Sequence, residues 1–257
     1  MKPIISDLES MARQAGGILR AGFGSQLRVD HKGIIDLVTE MDHRSEKFLL
    51  GEIQRRFPTH KIVSEESGEI YGEDCCLWFI DPLDGTVNYA HGLPIFTVSI
   101  AYQEDDALQL GVVYEPMLDE CYTAIKGQGA WLNGKLIQAS TTSELNRSLL
   151  VTGFPYDIRT NPENNLENYV RLSLRTQGVR RLGSAALDLC YVAAGRFDGF
   201  WEIRLSAWDV AAGGLIAKEA GAVVTNLTGG QDFLSPPQSI IAANPDLHPQ
   251  LVRALNE

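Results

Sequence analysis

An apolar run ends in two carboxylates, a glycine and a hydroxyl in the stretch Trp78-Phe79-Ile80-Asp81-Pro82-Leu83-Asp84-Gly85-Thr86. Magnesium prefers oxygen ligands, and it is commonly held by one or two carboxylates together with substrate phosphate oxygens. The glycine and hydroxyl indicate an exposed turn where backbone N–H groups can meet an anion. Because Asp, Pro and Gly are ordinary turn residues, the stretch alone also fits a plain turn. We take it to predict a Mg²⁺-dependent phosphate site that other segments must complete.

The composition is that of an acidic globular protein. The chain has 257 residues and a formal charge of −11 at pH 7, with 44% hydrophobic and 21% charged residues. This length fits one large domain or two tightly joined lobes with a sizeable core. An acidic chain repels nucleic acid, so we expect no direct nucleic-acid binding. Phosphate would have to be recruited by bound cations, which reverse the local charge.

The termini and the cysteines indicate the compartment. The N-terminal residues carry no apolar signal segment, and no apolar stretch is long enough to span a membrane. We therefore expect a cytoplasmic protein without a membrane partner. The four cysteines form no Cys-x-x-Cys motif, and the adjacent pair Cys75-Cys76 is poorly placed for a disulfide or a zinc site. Buried, reduced thiols are the expectation.

Apolar spacing predicts a mixture of helices and strands. One helix is predicted from Ile4 until Gly22 and Gly24, and another after the capping box Thr39–Asp42 until Pro58; others cover residues 163–176, 185–194, 208–220 and 249–255. Strands are predicted at residues 62–63, 77–80, 96–102, 110–114, 149–151, 199–203, 222–225 and 240–243. Turns are expected at Asp105-Asp106 and Asn133-Gly134. Helices and sheets in layers, an α+β fold, follow from this pattern.

Two further acidic segments lie far from the first one in the sequence. Val63-Ser64-Glu65-Glu66-Ser67 follows a short strand, and the segment 206–213 places Asp209 at the start of an Ala/Gly-rich helix. Taken alone, Glu65-Glu66 is more often a solvated loop. Asp209 alone is more often a helix cap.

Together these segments resemble the inositol monophosphatase family of Mg²⁺-dependent, lithium-sensitive sugar and polyol phosphatases. The matching motifs are residues 78–89 and 208–213, with Lys32-Gly33 before Asp36, Glu65-Glu66-Ser67 and residues 183–186, in unbroken order. The resemblance implies a layered αβαβα sandwich of the sugar-phosphatase type. It implies a single domain over residues 1–257, made of two αβ halves that divide near residues 140–150. It also implies two to three Mg²⁺ ions per site and a homodimer.

The resemblance assigns roles to the acidic residues. The metal ligands would be Glu65, Asp81, Asp84, Asp209 and the backbone carbonyl of Leu83. Asp81 would bridge two ions, which together stabilise the attacking and leaving oxygens of an in-line displacement. Thr86 and Glu65 would orient an attacking water and accept its proton. Glu65, Thr86 and Asp81 are thus the expected catalytic residues.

The resemblance also implies a substrate pocket. Phosphate would lie against the N–H groups of Gly85 and Thr86, where a side chain on residue 85 would block its approach. The sugar or polyol would contact a set of small and acidic residues, namely Gly183, Ser184, Ala185 and Glu202, with Asp84 and Asp209 as further substrate contacts.

Several positions have a plain structural alternative. Ser184 fits a helix N-cap as well as a substrate contact. Asp42, which with Lys32 matches family positions near the metals, fits a capping box equally well. Arg204 stands where the family commonly has a small residue, often glycine; it could bind a second anionic group, but we expect it to point to solvent. We likewise expect Arg180-Arg181 to be a solvated strand start.

The expected activity is hydrolysis of inositol monophosphate, or of a similar small polyol or sugar phosphate, by water that the metal ions activate. Fructose-1,6-bisphosphatase, adenosine 3′,5′-bisphosphate phosphatase and histidinol phosphatase activities need the same acids and stay open as alternatives. Bacterial members of the family can bind the transcription machinery, so a regulatory partner of that machinery is the non-enzymatic alternative.

Overall fold

The computed structural model describes residues 2–25, 29–31 and 37–257. The family-like positions Lys32, Gly33 and Asp36 therefore lie outside the described residues. The described helices are α1 Ile5–Gly22, α2 Glu40–Arg56, α3 Thr86–Ala90, α4 Leu166–Ser173, α5 Ala185–Ala193, α6 Ala207–Glu219 and α7 His248–Leu255. Within the described part of the chain, no helix combines the length and apolar character that crossing a membrane requires.

The first part of the chain forms a large, mostly antiparallel sheet. A separate pair, β1 Val29–His31 and β2 Leu37–Thr39, precedes it. The sheet contains β3 His60–Ser64, β4 Gly68–Ile70, β5 Glu73–Asp84, β6 Thr97–Glu104, β7 Ala107–Glu115, β8 Glu120–Ile125, β9 Gly129–Leu132 and β10 Lys135–Leu136. Its strand order is β10-β9-β8-β7-β6-β5-β3-β4, in which β3 and β5 pair in parallel.

The second part forms a smaller, mixed sheet. Its strands are β11 Leu149–Thr152, β12 Gly178–Arg180, β13 Gly199–Leu205, β14 Val223–Thr225 and β15 Gln238–Ala243. They lie in the order β12-β11-β13-β15-β14. The strands β12, β11 and β13 are parallel, whereas β15 is antiparallel to both of its neighbours.

The helices and the two sheets form five layers, which pack together through three hydrophobic cores. The first core packs α1 and α2 against the large sheet, with Leu8, Leu49 and Trp78 fully buried. The second joins both sheets through α5 and α6, and the third packs α4 and α7 under the smaller sheet. This αβαβα order confirms the predicted α+β fold class. A single domain with a division near residues 140–150 stays a prediction; the large sheet ends at Leu136 and the smaller one begins at Leu149.

Local turn chemistry explains several element boundaries. Asp105 and Asp106 both have positive φ (48° and 59°), which is typical of two-residue hairpin turns and confirms the predicted turn. The helix predicted over residues 163–176 is shorter, Leu166–Ser173. Asn165 adopts φ 69°, and Asn164 Oδ1 accepts a hydrogen bond from the N–H of Leu166. These asparagine contacts hold the preceding residues in a turn.

The cysteines divide into two environments. Cys121 and Cys190 are buried, as expected, but Cys75 is exposed and Cys76 is partly exposed, so the expectation of four buried thiols was wrong. The pairing of β5 with β3 skips from Glu73 to Leu77 at this point. Cys75 and Cys76 therefore lie where the pairing with β3 is interrupted, although Cys76 still pairs with Glu104 of β6.

Candidate active site

A cavity of about 310 Å³ opens between the large sheet and the elements β13, α5 and α6. Its volume lies within the usual range for a small-molecule site. It is lined by every site residue that the sequence predicted: Glu65, Asp81, Leu83, Asp84, Gly85, Thr86, Gly183, Ser184, Ala185, Glu202 and Asp209. Segments that are distant in sequence thus meet at one place.

A bulge at the end of β5 turns both of its acids toward this cavity. Residues three apart on a regular strand point to opposite faces. Here Asp81 pairs with Ser99 and Asp84 pairs with Thr97, so β5 contains one residue more than β6 between the two pairs. The N–H of Leu83 donates to Asp81 Oδ1 at 2.9 Å. The extra residue re-aims the strand and brings both carboxylates to the same wall.

The turn after Asp84 positions Thr86 at the start of α3. Gly85 has φ 100°, and a Cβ atom there would lie 2.9 Å from the carbonyl oxygen of Ile95. The chain's own backbone therefore requires glycine at this position, whether or not phosphate approaches it. Thr86 Oγ1 lies 3.0 Å from the Leu83 carbonyl oxygen and 2.9 Å from Asp42 Oδ1. Its single proton serves one acceptor at a time.

Asp42 combines the two roles that the sequence left open. It completes the capping box of α2, because its Oδ2 accepts hydrogen bonds from the N–H and the hydroxyl of Thr39 at 2.8 and 2.6 Å. Its other oxygen lies against the hydroxyl of Thr86. Burial raises the pKa of Asp42, and the bonds from Thr39 and Thr86 oppose that rise. The cap of α2 thus also supports a cavity residue.

Asp84 and Asp209 likewise combine capping with a place in the cavity wall. Ser184 Oγ and the N–H of Ala186 donate to Asp84 Oδ2 at 2.6 and 2.8 Å. Ser184 itself is the N-cap of α5, where its hydroxyl accepts from the N–H of Leu187. Asp209 Oδ2 accepts from the N–H of Ser206 at 2.7 Å in the capping box of α6. Neither structural alternative excludes a functional one.

The acidic wall of the cavity, formed by Glu65, Asp81, Asp84 and Asp209, concentrates negative charge. Burial, followed by repulsion from Glu65, Asp84 and Asp209, raises the pKa of Asp81 well above its usual value. Burial is also the main cause of the raised pKa values of Asp84 and Asp209. In the described part of the chain, no lysine, arginine or histidine forms an ion pair with these three aspartates. Bound cations would stabilise the ionised cluster.

The donor set fits Mg²⁺ in its chemistry. Four carboxylates and the Leu83 carbonyl are hard oxygen ligands. Within residues 2–25, 29–31 and 37–257, no three His, Cys, Asp or Glu side chains are grouped closely enough to hold a metal ion by themselves. Magnesium usually keeps several water and substrate oxygens and seldom occupies an all-protein cage. The arrangement therefore suits ions that bind together with a phosphate.

Two further buried acids, Glu202 and Asp188, line the cavity. Burial and repulsion from Asp84 raise the pKa of Glu202 to about 8. Asp188 is also buried, its pKa is raised well above the usual value, and its Oδ1 has no hydrogen-bond partner among the described residues. The sequence analysis missed Asp188, although it follows Ser184 by four residues on α5. That spacing places both on one helix face and was the available signal.

The sequence analysis also missed the segment of residues 153–156, which lines the cavity directly after β11. The carboxyl ends of parallel strands commonly carry binding loops, and β11 lies between two parallel neighbours. That rule could have indicated the segment, but only once the strand order was known. Arg180 and Arg181 are both exposed, as expected, but they lie at the end of β12 and not at a strand start, and Arg181 also lines the cavity.

Arg204 is exposed, as the sequence analysis expected, and its side chain also reaches the wall of the cavity. Its side chain is 41% exposed, it lines the cavity, and its Nη2 atom lies 2.7 Å from Asp157 Oδ2. The cause is a bulge in β13, where the pairing with β15 skips from Ile203 to Leu205. Arg204 adopts φ 59° at this bulge. A glycine adopts that conformation without strain, which explains why a small residue suits the position.

Comparisons with known proteins agree with this geometry. The model of the inositol monophosphatase family matches residues 1–257. The Nus factor SuhB of Escherichia coli (strain K12) is 42% identical over 248 residues, which cover 95% of this chain and 92% of that protein. An inositol-1-monophosphatase of Mesorhizobium japonicum is 40% identical over 257 residues, 99% of this chain and 96% of that protein.

A solved structure shows the same fold. The inositol monophosphatase from Anabaena (Nostoc) sp. PCC 7120 superimposes with a TM-score of 0.88 at 44% sequence identity, covering 98% of this chain and 94% of that one. Likeness of sequence and fold thus extends over nearly the whole chain. The protein belongs to the inositol monophosphatase family.

Proposed function

We propose that this protein is a Mg²⁺-dependent phosphomonoesterase that hydrolyses inositol monophosphate or a similar small polyol or sugar phosphate. The observation that carries the proposal is the meeting of Glu65, Asp81, Asp84 and Asp209 around one cavity, beside the turn at Gly85. The family is generally metal-dependent and acts on phosphorylated small molecules. Such a concentration of carboxylates suits a phosphorylated substrate only when metal ions are bound.

In this proposal the acidic wall and the Leu83 carbonyl hold the metal ions. Bound Mg²⁺ would neutralise phosphate charge and lower the pKa of a water molecule. The N–H groups of Gly85 and Thr86 would donate to phosphate oxygens. The hydroxyl of Thr86, held by Asp42, would orient the attacking water, and Glu65 would accept its proton.

The alcohol part of the substrate would occupy the wall formed by Glu202, Ser184 and Gly183. With a pKa of about 8, the carboxyl group of Glu202 is mostly protonated at neutral pH in the metal-free protein. Bound cations would lower this pKa, and the carboxyl group accepts a hydrogen bond from a sugar hydroxyl in either protonation state. Such a contact favours a polyhydroxylated alcohol over one that lacks the hydroxyl.

Phosphate release from inositol 1-phosphate, measured during a Mg²⁺ titration, tests the proposal. Asp81→Asn should lower the rate at least about 1,000-fold, because it removes a charged side chain that would hold the metal ions. The matched control is Asp105→Asn, which makes the same chemical change in an exposed turn whose positive φ asparagine tolerates. Circular dichroism checks that both variants fold. A fully active Asp81→Asn enzyme would contradict the proposal.

The finer choice among phosphate esters requires a substrate panel. Inositol monophosphate, fructose 1,6-bisphosphate, adenosine 3′,5′-bisphosphate and histidinol phosphate all need the same acidic wall, so relative kcat/KM values decide among them. The homodimer that the resemblance implies stays a prediction, and the molar mass in solution tests it.

A non-enzymatic candidate is a regulatory role in transcription. It is favoured by the name of the Escherichia coli relative, a Nus factor. A pull-down of transcription proteins from cell extract with wild type and Asp81→Asn separates the two roles. Equal capture by the inactive variant, together with normal growth of cells that carry it, would support the regulatory role over the enzymatic one.

A further inference from the structure

Arg204 is held in a backbone conformation that a non-glycine residue seldom adopts. Its φ of 59° lies in the left-handed region, which costs a non-glycine side chain roughly 1–2 kcal/mol. Strain of this kind often marks functional positions, and the inference proceeds from the observed outlier to a hypothesis. The bulge between Ile203 and Leu205 places the side chain of Arg204 in the cavity wall. An arginine in this conformation therefore calls for a function.

The ion pair with Asp157 engages only part of the guanidinium. Among the described residues, one hydrogen bond reaches Arg204, from its Nη2 to Asp157 Oδ2. Asp157 Oδ2 also accepts from Asn161 Nδ2 at 2.9 Å, while its Oδ1 is buried without a partner in the described part of the chain. A guanidinium has five N–H donors in a planar fork. Arg204 is thus oriented by Asp157 and keeps most of its donors for another anion.

The charges around Arg204 indicate what it could bind. Arg181 and Arg204 are the cationic side chains among the described residues that line the cavity, whose wall is otherwise acidic. Arg181 also lowers the pKa values of Glu202 and Asp188, which places it electrostatically beside the alcohol wall. These cations belong to β13 and the segment after β12, whereas the acids Asp81 and Asp84 belong to β5. Arg204 and Arg181 thus enter the cavity from elements other than the one that carries Asp81 and Asp84.

We propose that Arg204, assisted by Arg181, forms a subsite for a second anionic group on the carbon skeleton of the substrate. The group is a phosphate or a carboxylate, because both match the guanidinium fork in a bidentate contact. This inference rests on the proposed function, which assigns the first phosphate to the N–H groups of Gly85 and Thr86. The subsite would make the enzyme favour phosphate esters that carry a second anionic group over polyol phosphates that lack one.

Three six-carbon esters that differ only at carbon 1 test the subsite: glucitol 6-phosphate, gluconate 6-phosphate and glucitol 1,6-bisphosphate. We expect wild type to show kcat/KM at least about 10-fold higher for one or both doubly anionic esters. Whichever of the two is preferred identifies the second anion as carboxylate or phosphate. Arg204→Asn removes the positive charge and introduces a residue that tolerates positive φ. It should abolish the preference and change kcat/KM for glucitol 6-phosphate less than about threefold.

The control variant is Arg180→Gln, which removes an exposed charge that does not line the cavity. It should keep the preference of wild type. The subsite is overturned if wild type shows no preference for a doubly anionic ester, or if Arg204→Asn retains that preference. It is also overturned if Arg204→Asn lowers kcat/KM equally for all three esters. The last result would mean that Arg204 only stabilises the segment that contains Asp157.

A binding measurement separates failure of the subsite from failure of the proposed function. If wild type releases phosphate from none of the three esters, the proposed function fails for them. Calorimetric dissociation constants for the same compounds with the Mg²⁺-loaded protein then decide the subsite alone. Tighter binding of a doubly anionic compound that is lost in Arg204→Asn supports the subsite, whereas equal affinities overturn it.

Discussion

Gly153 lies so close to the carboxyl group of Glu202 that a Cβ atom on residue 153 would collide with both carboxyl oxygens. The parallel pairing of β11 with β13 causes this proximity, because Thr152 pairs with Trp201 and the next residue on each strand is Gly153 and Glu202. Asn165 Nδ2 fixes the turn by donating to the Gly153 carbonyl oxygen at 2.8 Å. The missing side chain at residue 153 is thus what admits Glu202 to the cavity.

Gly153→Ala should therefore displace Glu202 and weaken substrate binding. We expect KM for a polyol phosphate to rise about 10-fold, because one hydroxyl contact of roughly 1.4 kcal/mol would be lost. Steady-state kinetics measures this effect. Gly17→Ala is the matched control, since a Cβ there meets nothing within 4 Å and alanine suits the interior of α1. It should leave KM unchanged and stabilise the fold by about 0.5–1 kcal/mol. An unchanged KM in Gly153→Ala would contradict the role of Glu202.

The parts of the fold and site that depend on residue type and local spacing were predictable from the sequence. Asp81 was singled out from its local sequence and Asp209 through the family resemblance, and both line the cavity. Local turn chemistry placed the hairpin at Asn133-Gly134 in the same way, and both residues adopt positive φ. The residues that form such features are neighbours in the chain, so their pattern is visible without a fold.

The features that were missed depend on pairing between distant strands. Asp81 and Asp84 share a wall because of their register with β6, and Arg204 enters the cavity because of a bulge opposite β15. Neither register is encoded within a short window, since a one-residue shift reverses every side chain on a strand. Cys75 is exposed for the same reason, because pairing with β3 breaks beside it. Local patterns predict which residues matter better than where they point.

The raised pKa of Glu202 should make the stability of the metal-free protein depend on pH. Glu202 titrates near pH 8 when folded and near its ordinary value of 4.5 when unfolded. Between these values the folded state holds a proton that the unfolded state releases, so stability falls as pH rises. Compared with Glu202→Gln, wild type should lose up to about 1.4 kcal/mol per pH unit between pH 5 and 8. Urea unfolding in the presence of a chelator measures this difference, and a difference that does not change with pH would contradict the shift.

The crowded acids should make the metal-free protein less stable than a variant that lacks one of them. Because the pKa of folded Asp81 is raised well above 3.8, the metal-free protein loses stability as pH rises above that value. At pH 7, Asp81→Asn should stabilise the metal-free protein, because it removes a buried carboxyl group whose ionised form is disfavoured by burial and by the neighbouring acids. Thermal or urea unfolding in a chelator tests this, with Asp105→Asn as the matched control. A less stable metal-free Asp81→Asn protein would contradict it.

Added Mg²⁺ should make wild type more stable than Asp81→Asn, the reverse of the order in the metal-free proteins. At about 100 times its dissociation constant, a bound ion stabilises a protein by about 2.7 kcal/mol. For a chain of this size, such a gain raises the melting temperature by about 5–10 °C. Wild type and Asp105→Asn should show this increase in differential scanning fluorimetry, and Asp81→Asn should show little of it. An equal increase in all three proteins would place the ion elsewhere.

The hydrogen bond between Ser184 and Asp84 should support both the fold and metal binding, because it joins the N-cap of α5 to the end of β5. Ser184→Ala removes the cap and leaves Asp84 with fewer donors, so the free energy of unfolding should fall by about 2 kcal/mol. The Mg²⁺ concentration for half-maximal activity should also rise, because the ionised carboxylate of Asp84 would lose one of the hydrogen-bond donors that stabilise it. Ser184→Thr keeps the hydroxyl and should recover most of both effects. A Ser184→Ala protein that unfolds at the urea concentration of wild type and needs no more Mg²⁺ would show that the backbone donor of Ala186 suffices to hold Asp84.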